Sequence, residues 1–163
     1  MKRKETRRLL RKWARADSEI VTLYDVIKTI VDEIDAVGDL HAQNLDGMPH
    51  APTVGRPAEQ AAVKRITLAD RYRGRLAEAN RQIEDLERFK DKIEGALLWT
   101  SADEDYVVRM RYKGRIGDTK DEPNPLPFSK IAENMNLTER RVKQIEASAV
   151  SIIGDYIDYK ENK

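Results

Sequence analysis

Apolar residues recur through the first half of the chain at Ile20, Leu23, Ile27, Ile30, Ile34 and Val37, in alternating steps of three and four. That spacing draws a single stripe along one face of a helix. The stripe weakens at His41 and Asn44 and breaks in "LDGMPHAPTVGRPAEQ", where Gly47, Pro49, Pro52, Gly55 and Pro57 crowd together. Such a cluster does not continue a helix and reads as a linker over 46–57. A second stripe in the same heptad phase follows at Ala69, Tyr72, Leu76, Ala79, Ile83, Leu86, Ile93 and Leu97, interrupted only by Lys90. The pattern predicts two helices of roughly 40 residues, ~60 Å long, folded back on each other as an antiparallel hairpin. Small Ala69 and Ala79 let a partner helix approach closely.

Two helices alone leave part of each stripe uncovered, and the nearest source of another helix is a second copy of the chain. A homo-oligomer is expected, with a dimer favoured, since heptads specify association rather than number.

After "LLWT", Ser101-Ala102-Asp103-Glu104 has the form of a capping box and restarts a helix. "EDYVVRMRYKGR" is that short helix, with Val107 and Met110 inward, Val108 left open, and Gly114 at its end. "GRIGDTKDEPNPLP" is a loop by composition. "FSKIAENM" begins another helix, Asn136-Leu137-Thr138 turns the chain, and "LTERRVKQIEASAV" carries the helix after the turn. The fold class is therefore all-α: a coiled-coil-like hairpin with oligomerising character over 1–100, then a small helix-turn-helix domain over 101–163.

A helix-turn-helix places its second helix in the major groove of DNA. Ile131, Ala132 and Met135 are expected to pack its first helix, Leu137 to plug the turn, and Val142 and Ile145 to hold the second, with Thr138 as N-cap. Glu139, Arg140, Lys143 and Gln144 then project outward. Their chemistry suits base edges: Arg or Lys bonds guanine O6 and N7, Gln bonds adenine, and Glu accepts from the cytosine amino group. Thr138, Arg141 and Lys130 are the candidates for the phosphate backbone. A mixed-charge helix by itself is an ordinary solvated surface; the preceding helix and turn are what favour base reading. Ile152, Ile153, Tyr156 and Ile157 continue the apolar stripe and either cap the small domain's core or join two such domains. Gly154 is expected to bend or end the helix.

Composition narrows the class. The chain has 163 residues, 40% hydrophobic and 36% charged, with a mean hydropathy of -0.70, a balance suited to long exposed helices rather than a large core. The net charge of +1 hides an uneven distribution. Residues 1–16 hold Lys2, Arg3, Lys4, Arg7, Arg8, Arg11, Lys12 and Arg15 against Glu5. Lys2, Arg3, Lys4, Arg7, Arg8, Arg11 and Lys12 form a candidate nonspecific nucleic-acid arm, clamping phosphates without sequence preference. A frayed, solvated helix start remains the alternative, and contact with RNA polymerase or a membrane surface stays open. "KRITLADRYRGR" sets Lys64, Arg65, Arg71, Arg73 and Arg75 around Tyr72, but Tyr72 sits on the stripe and a structural role is favoured.

With no Cys, disulfides and thiolate zinc sites are excluded. His41 and His50 are the only histidines, and neither HExxH nor a Gly-rich phosphate loop occurs. The expectation is a protein that is not an enzyme and has no cofactor or metal. No apolar run approaches the ~20 residues that span a bilayer, and no signal-peptide pattern is present. A cytoplasmic protein without a membrane partner is expected.

"EDYVVRMRY" followed by "FSKIAENMNLTERRVKQIEASAV" resembles region 4 of bacterial sigma factors, a short helix and then a helix-turn-helix ending in an Arg-Gln-Ile-Glu-Ala-like run. The likeness covers 103–150 and is closest over Thr138 to Ala149. It implies that Glu139, Arg140, Lys143 and Gln144 occupy base-contacting positions, with Arg141 near the DNA backbone. Two departures imply a target other than a standard -35 element: the acidic residue precedes the Arg at 139 and 140, and the loop over 113–127 is longer. No counterpart of the promoter-melting region 2 accompanies the module. The layout, with "DGMPHAPTVGRPAEQAAVKRI", resembles phage regulators of late transcription of the ArpU and RinA-like group. That resemblance implies an activator of phage or prophage late genes, acting in a bacterial host on promoter DNA and contacting or recruiting RNA polymerase. A repressor, a small terminase subunit that recognises packaging DNA, and a coiled-coil adaptor that binds no DNA are the rival classes.

Overall fold

The computed structural model describes residues 1–39, 57–115 and 123–162. His41, Asn44, His50 and the linker up to residue 56 lie outside these, as do residues 116–122 of the loop and the side chain of Val37. Every regular element among the described residues is a helix: α1 Arg3–Asp39, α2 Pro57–Leu97, α3 Ala102–Tyr112, α4 Phe128–Met135 and α5 Glu139–Glu161. Pro57, the last residue of the expected linker, opens α2. Proline at the first helical position forfeits no intrahelical bond, and its fixed φ already suits a helix.

Contacts divide the chain into two compact units, Met1–Val21 with Glu84–Lys163, and Thr22–Ile83. The first unit is built on one shared core: Leu10, Trp13 and Ala14 of α1 and Ile93, Ala96 and Leu97 of α2 pack with Val108 and Tyr112 of α3 and Ala149, Val150, Ile153 and Ile157 of α5. Trp13, Leu10 and Ile93 are fully buried there. The basic start of the chain is thus neither frayed nor all surface. It is an amphipathic helix whose inner face is core.

Charged residues on the apolar stripes find partners in this unit. Asp17 follows Leu10 and Trp13 on α1 and is paired with Lys90 and, at 3.1 Å, with Lys113. Lys90, the interruption of the second stripe, is therefore an ion-pair position. Lys113 lies 4.2 Å from the centroid of the Trp13 ring, whose Nε1 donates to Glu94 Oε1 at 3.0 Å. Arg109 donates to Glu94 at 2.7 Å and to Asp105 at 2.9 Å. Burial pulls the Arg109 pKa down, but Glu94 and Asp105 outweigh it and hold the guanidinium above its ordinary value. Asp17 and Lys113 are buried and Lys90, Glu94, Asp105 and Arg109 half-buried, all paired within one cluster, which is the condition under which burial is tolerable.

Gly154 does not end α5, which runs on to Glu161. A Cβ at this position would meet Thr6 Oγ1 at 2.8 Å. Glycine here serves the close approach of α1 to α5.

In the unit Thr22–Ile83, α1 and α2 run antiparallel, with Arg65 paired to Asp35 and the Tyr72 hydroxyl hydrogen-bonded to Glu33, which raises its pKa. Ile30, Ala79 and Ile83 are buried, while Leu23, Ile27, Ile34, Ala69 and Leu76 are half-buried. The heptad stripes face each other, as their spacing predicts.

Candidate nucleic-acid interface

The module begins where Ser101 caps α3, its Oγ accepting from the Glu104 amide while the Glu104 carboxylate accepts from the Ser101 amide at 2.9 Å. Burial pushes the Glu104 carboxyl up, but hydrogen bonds from Ser148 and Ser101 prevail and hold it below the usual carboxylate value. Gly114 ends α3 at φ 77°, and a Cβ there would strike the Asn124 carbonyl. The returning chain is pinned by Asn124 N–H to Lys113 O at 3.1 Å and Leu126 N–H to Met110 O at 3.0 Å.

Val107 of α3, Ile131 and Ala132 of α4, and Val142 and Ile145 of α5 form a second small core, flanked by Met110, Leu126, Phe128 and Met135. α3 divides its neighbouring valines between the two cores, Val107 to this one and Val108 to the larger. The turn is made by Asn136 in the left-handed conformation, φ 53° and ψ 40°, which asparagine adopts more readily than other non-glycine residues. Leu137 N–H donates to Ala132 O at 3.0 Å, and the Leu137 side chain is 38% exposed. It does not plug the turn. Backbone bonds and the Asn136 conformation close it instead. Thr138 is the N-cap, its hydroxyl oxygen accepting from Arg141 N–H at 3.3 Å, which leaves its O–H free to donate.

At the start of α5, Val142 and Ile145 face inward, and Glu139, Arg140, Arg141, Lys143 and Gln144 are all exposed. The four base-reading candidates thus share an outward surface. They are not equally free. Glu139 and Lys143 pair at 2.5 Å, with Lys143 also 5.7 Å from the Phe128 ring centroid. Arg141 reaches Gln144 Oε1 at 3.5 Å. Among the described residues Arg140 makes no side-chain bond. Lys130 is tied to Glu133 at 2.8 Å, and that hydrogen bond raises its pKa.

One turn further, Glu146 points the other way and is 97% buried. Its Oε1 and Oε2 accept from Arg7 Nε at 3.0 Å and Nη2 at 2.7 Å, and Oε1 also accepts from the Tyr112 hydroxyl at 2.9 Å. The forked pair is the strong form of an arginine–carboxylate contact. The hydrogen bond with Glu146 raises the Arg7 pKa well beyond its ordinary value. Burial, reinforced by the Glu146 charge, pushes the Tyr112 hydroxyl up.

Of the expected N-terminal arm, Lys2, Arg3, Lys4, Arg8, Arg11 and Lys12 are exposed. Arg7 is not a free cation but the partner of Glu146, and Lys12 lies 4.9 Å from the Phe89 ring centroid. In "KRITLADRYRGR", Arg65 pairs with Asp35, Arg73 with Asp70 at 2.8 Å, and Arg75 covers Tyr72, so these cations serve the helix pair. Sequence reasoning missed Tyr112, Glu146, Asp17, Glu94 and Lys113. A signal existed for some of them: a carboxylate among Val142, Ala149, Val150 and Ile153, or between Trp13 and Ile20, needs a buried counter-charge.

Three short helices around one small core, a left-handed turn residue and a cation-bearing second helix define a helix-turn-helix module. Residues 101–151 match the family described as Sigma-70, region 4. The match starts at the Ser101 cap and ends within α5, and at a coarse level it makes this module one of DNA-binding transcription regulation. No curated protein and no solved structure matches the chain.

Proposed function

We propose that the protein is a sequence-specific regulator of transcription, not an enzyme, that reads promoter or operator DNA through Glu139, Arg140, Lys143 and Gln144. The single observation behind this reading is the exposed face at the start of α5, carried on the Val142 and Ile145 support of a region 4-like module. Arg140, unpartnered among the described residues, is the first-choice base contact. Lys143 reaches DNA by leaving Glu139 or by sharing it. Thr138, Arg141 and Lys130 orient the module on phosphates.

The finer reading is an activator of phage or prophage late genes in the bacterial cytoplasm that contacts RNA polymerase. The layout of a helix pair before a region 4-like module supports it. Tyr24, Val63 and Ile66, more than half exposed on the helix pair, support self-association as a dimer presenting two modules to two half-sites. No described helix is long and apolar enough to cross a membrane.

Enrichment of duplexes from a random pool by the full chain tests the reading. A defined motif is expected, and transcription from that motif with purified bacterial polymerase then distinguishes activation from repression. Recovery of no motif would remove base reading from the proposal.

A further inference from the structure

The first helix carries cations that its fold does not consume. Lys4, Arg8, Arg11 and Arg15 recur in steps of four, three and four, all exposed, and among the described residues none has an ion-pair partner. They form one ridge ~16 Å long on the outer face of α1. An unfolded basic tail would have no such order.

The ridge is fixed relative to α5. α1 runs antiparallel to it: the Met1 amino group pairs with Asp158, Thr6 abuts Gly154, and Arg7 bonds Glu146. Beyond Arg7, α1 therefore advances towards the end of α5 that bears Arg140 and Gln144. Helical periodicity gives the sides. Around α5, Gly154 and Asp158 lie on the flank bordered by Lys143, roughly a quarter-turn from Gln144. Around α1, Arg7 lies between the ridge and α5, with Arg11 the ridge residue next to it. Because Thr6 meets the Gly154 flank of α5 and both helices contribute to one core, α1 lies beside α5 over that core, and the two outer faces border one another.

We infer that the Lys4–Arg8–Arg11–Arg15 ridge is a second, rigid DNA contact that grips backbone phosphates beside the groove entered by α5. This rests on the DNA-binding reading above and extends it. A ridge of this length matches the rise of about five base pairs. Held by Arg7 and Gly154, it grips at a set distance from the recognition helix rather than sampling space as a tail. The footprint of one module is thereby longer than the region 4-like fold alone provides.

The experiment uses mixed-sequence duplexes of 14 and 30 base pairs, since phosphate contacts need no operator. Binding of the full chain is followed by fluorescence anisotropy from 50 to 200 mM salt. Three proteins are compared: wild type, Arg8→Ala/Arg11→Ala/Arg15→Ala, and Arg140→Ala/Arg141→Ala. Replacing three exposed side chains leaves the core intact, which circular dichroism checks. The inference predicts that the triple variant binds the 30-base-pair duplex more weakly, with a salt slope smaller by about 2.7, or about 0.9 per lost phosphate contact. The 14-base-pair duplex still accommodates the ridge beside the recognition helix, so there too the triple variant should bind more weakly than wild type. An unchanged slope on the long duplex, while Arg140→Ala/Arg141→Ala still weakens binding, would overturn the ridge and leave the recognition helix standing. No binding by wild type at 50 mM salt would overturn both.

Discussion

The two compact units bury their apolar stripes to different depths. In Thr22–Ile83 the stripe residues are mostly half-buried, and Val63 and Ile66 are 62% and 63% exposed. In the unit containing Trp13, Ile93, Val108 and Ile153, the same kind of stripe reaches complete burial because four helices converge on it. Two helices can cover only one side of each other. The difference separates a segment that leaves apolar side chains exposed from one that buries them and supports the outward face of α5.

The larger core is most sensitive at Trp13. Trp13→Ala should cost about 3–5 kcal/mol, and the loss should reach α3 and α5 because they share the Trp13 core. Denaturant unfolding followed by Trp99 fluorescence measures it. An unaltered transition would mean that the module folds independently of α1.

Arg7→Ala leaves Glu146 buried with only the Tyr112 hydroxyl. The expected cost is about 2 kcal/mol, reduced from the range for a fully buried pair because Arg7 is partly exposed. Arg7→Leu with Glu146→Leu should recover much of it, as read from urea midpoints. A double variant no better than Arg7→Ala would show that the charge is not what matters there.

Arg140→Ala or Gln144→Ala should cost about 1–3 kcal/mol at the selected DNA site and leave stability unchanged. Equal losses on random DNA would mean that these side chains do not read bases.

Tyr112 supplies a pH dependence. Its pKa is raised by burial and then by Glu146, so the unfolded chain ionises first, near pH 10. The stabilisation is present below that pH and lost as pH rises towards the folded value, by about 1 kcal/mol around pH 10.5 to 11. In Tyr112→Phe thermal melts this share of the alkaline decline should vanish; an identical decline would assign it elsewhere.

The smallest expected change is in the helix pair. Val63→Ser with Ile66→Ser should alter stability by under about 0.5 kcal/mol at exposed sites, yet lower the mass seen by light scattering if this surface joins two chains. An unchanged oligomeric mass would exclude it.

The helix pair was legible in its heptads, and the module in the Ser101 capping box, the turn after Met135 and the stripe through Val142 and Ile145. Each is a short-range pattern, so local spacing reveals it. The base-reading candidates were legible as surface for the same reason, since whatever the stripe excludes must face outward. The partners of that surface were not: the Glu139–Lys143 and Lys130–Glu133 bonds are rotamer choices among several that spacing allows.

Periodicity, capping and turn chemistry thus determined an all-α chain with a helix-turn-helix whose outward cations suit DNA. Only the tertiary structure decided that the basic start of the chain packs into the larger core shared with α3 and α5 of that module. Arg7 and Glu146 are 139 residues apart, and nothing in either neighbourhood names the other. Glycine at 154 was ambiguous until Thr6 was placed against it. The reason is physical: a helix stripe says which face must be buried, but what buries it, and which buried charge meets which, depends on how distant segments converge.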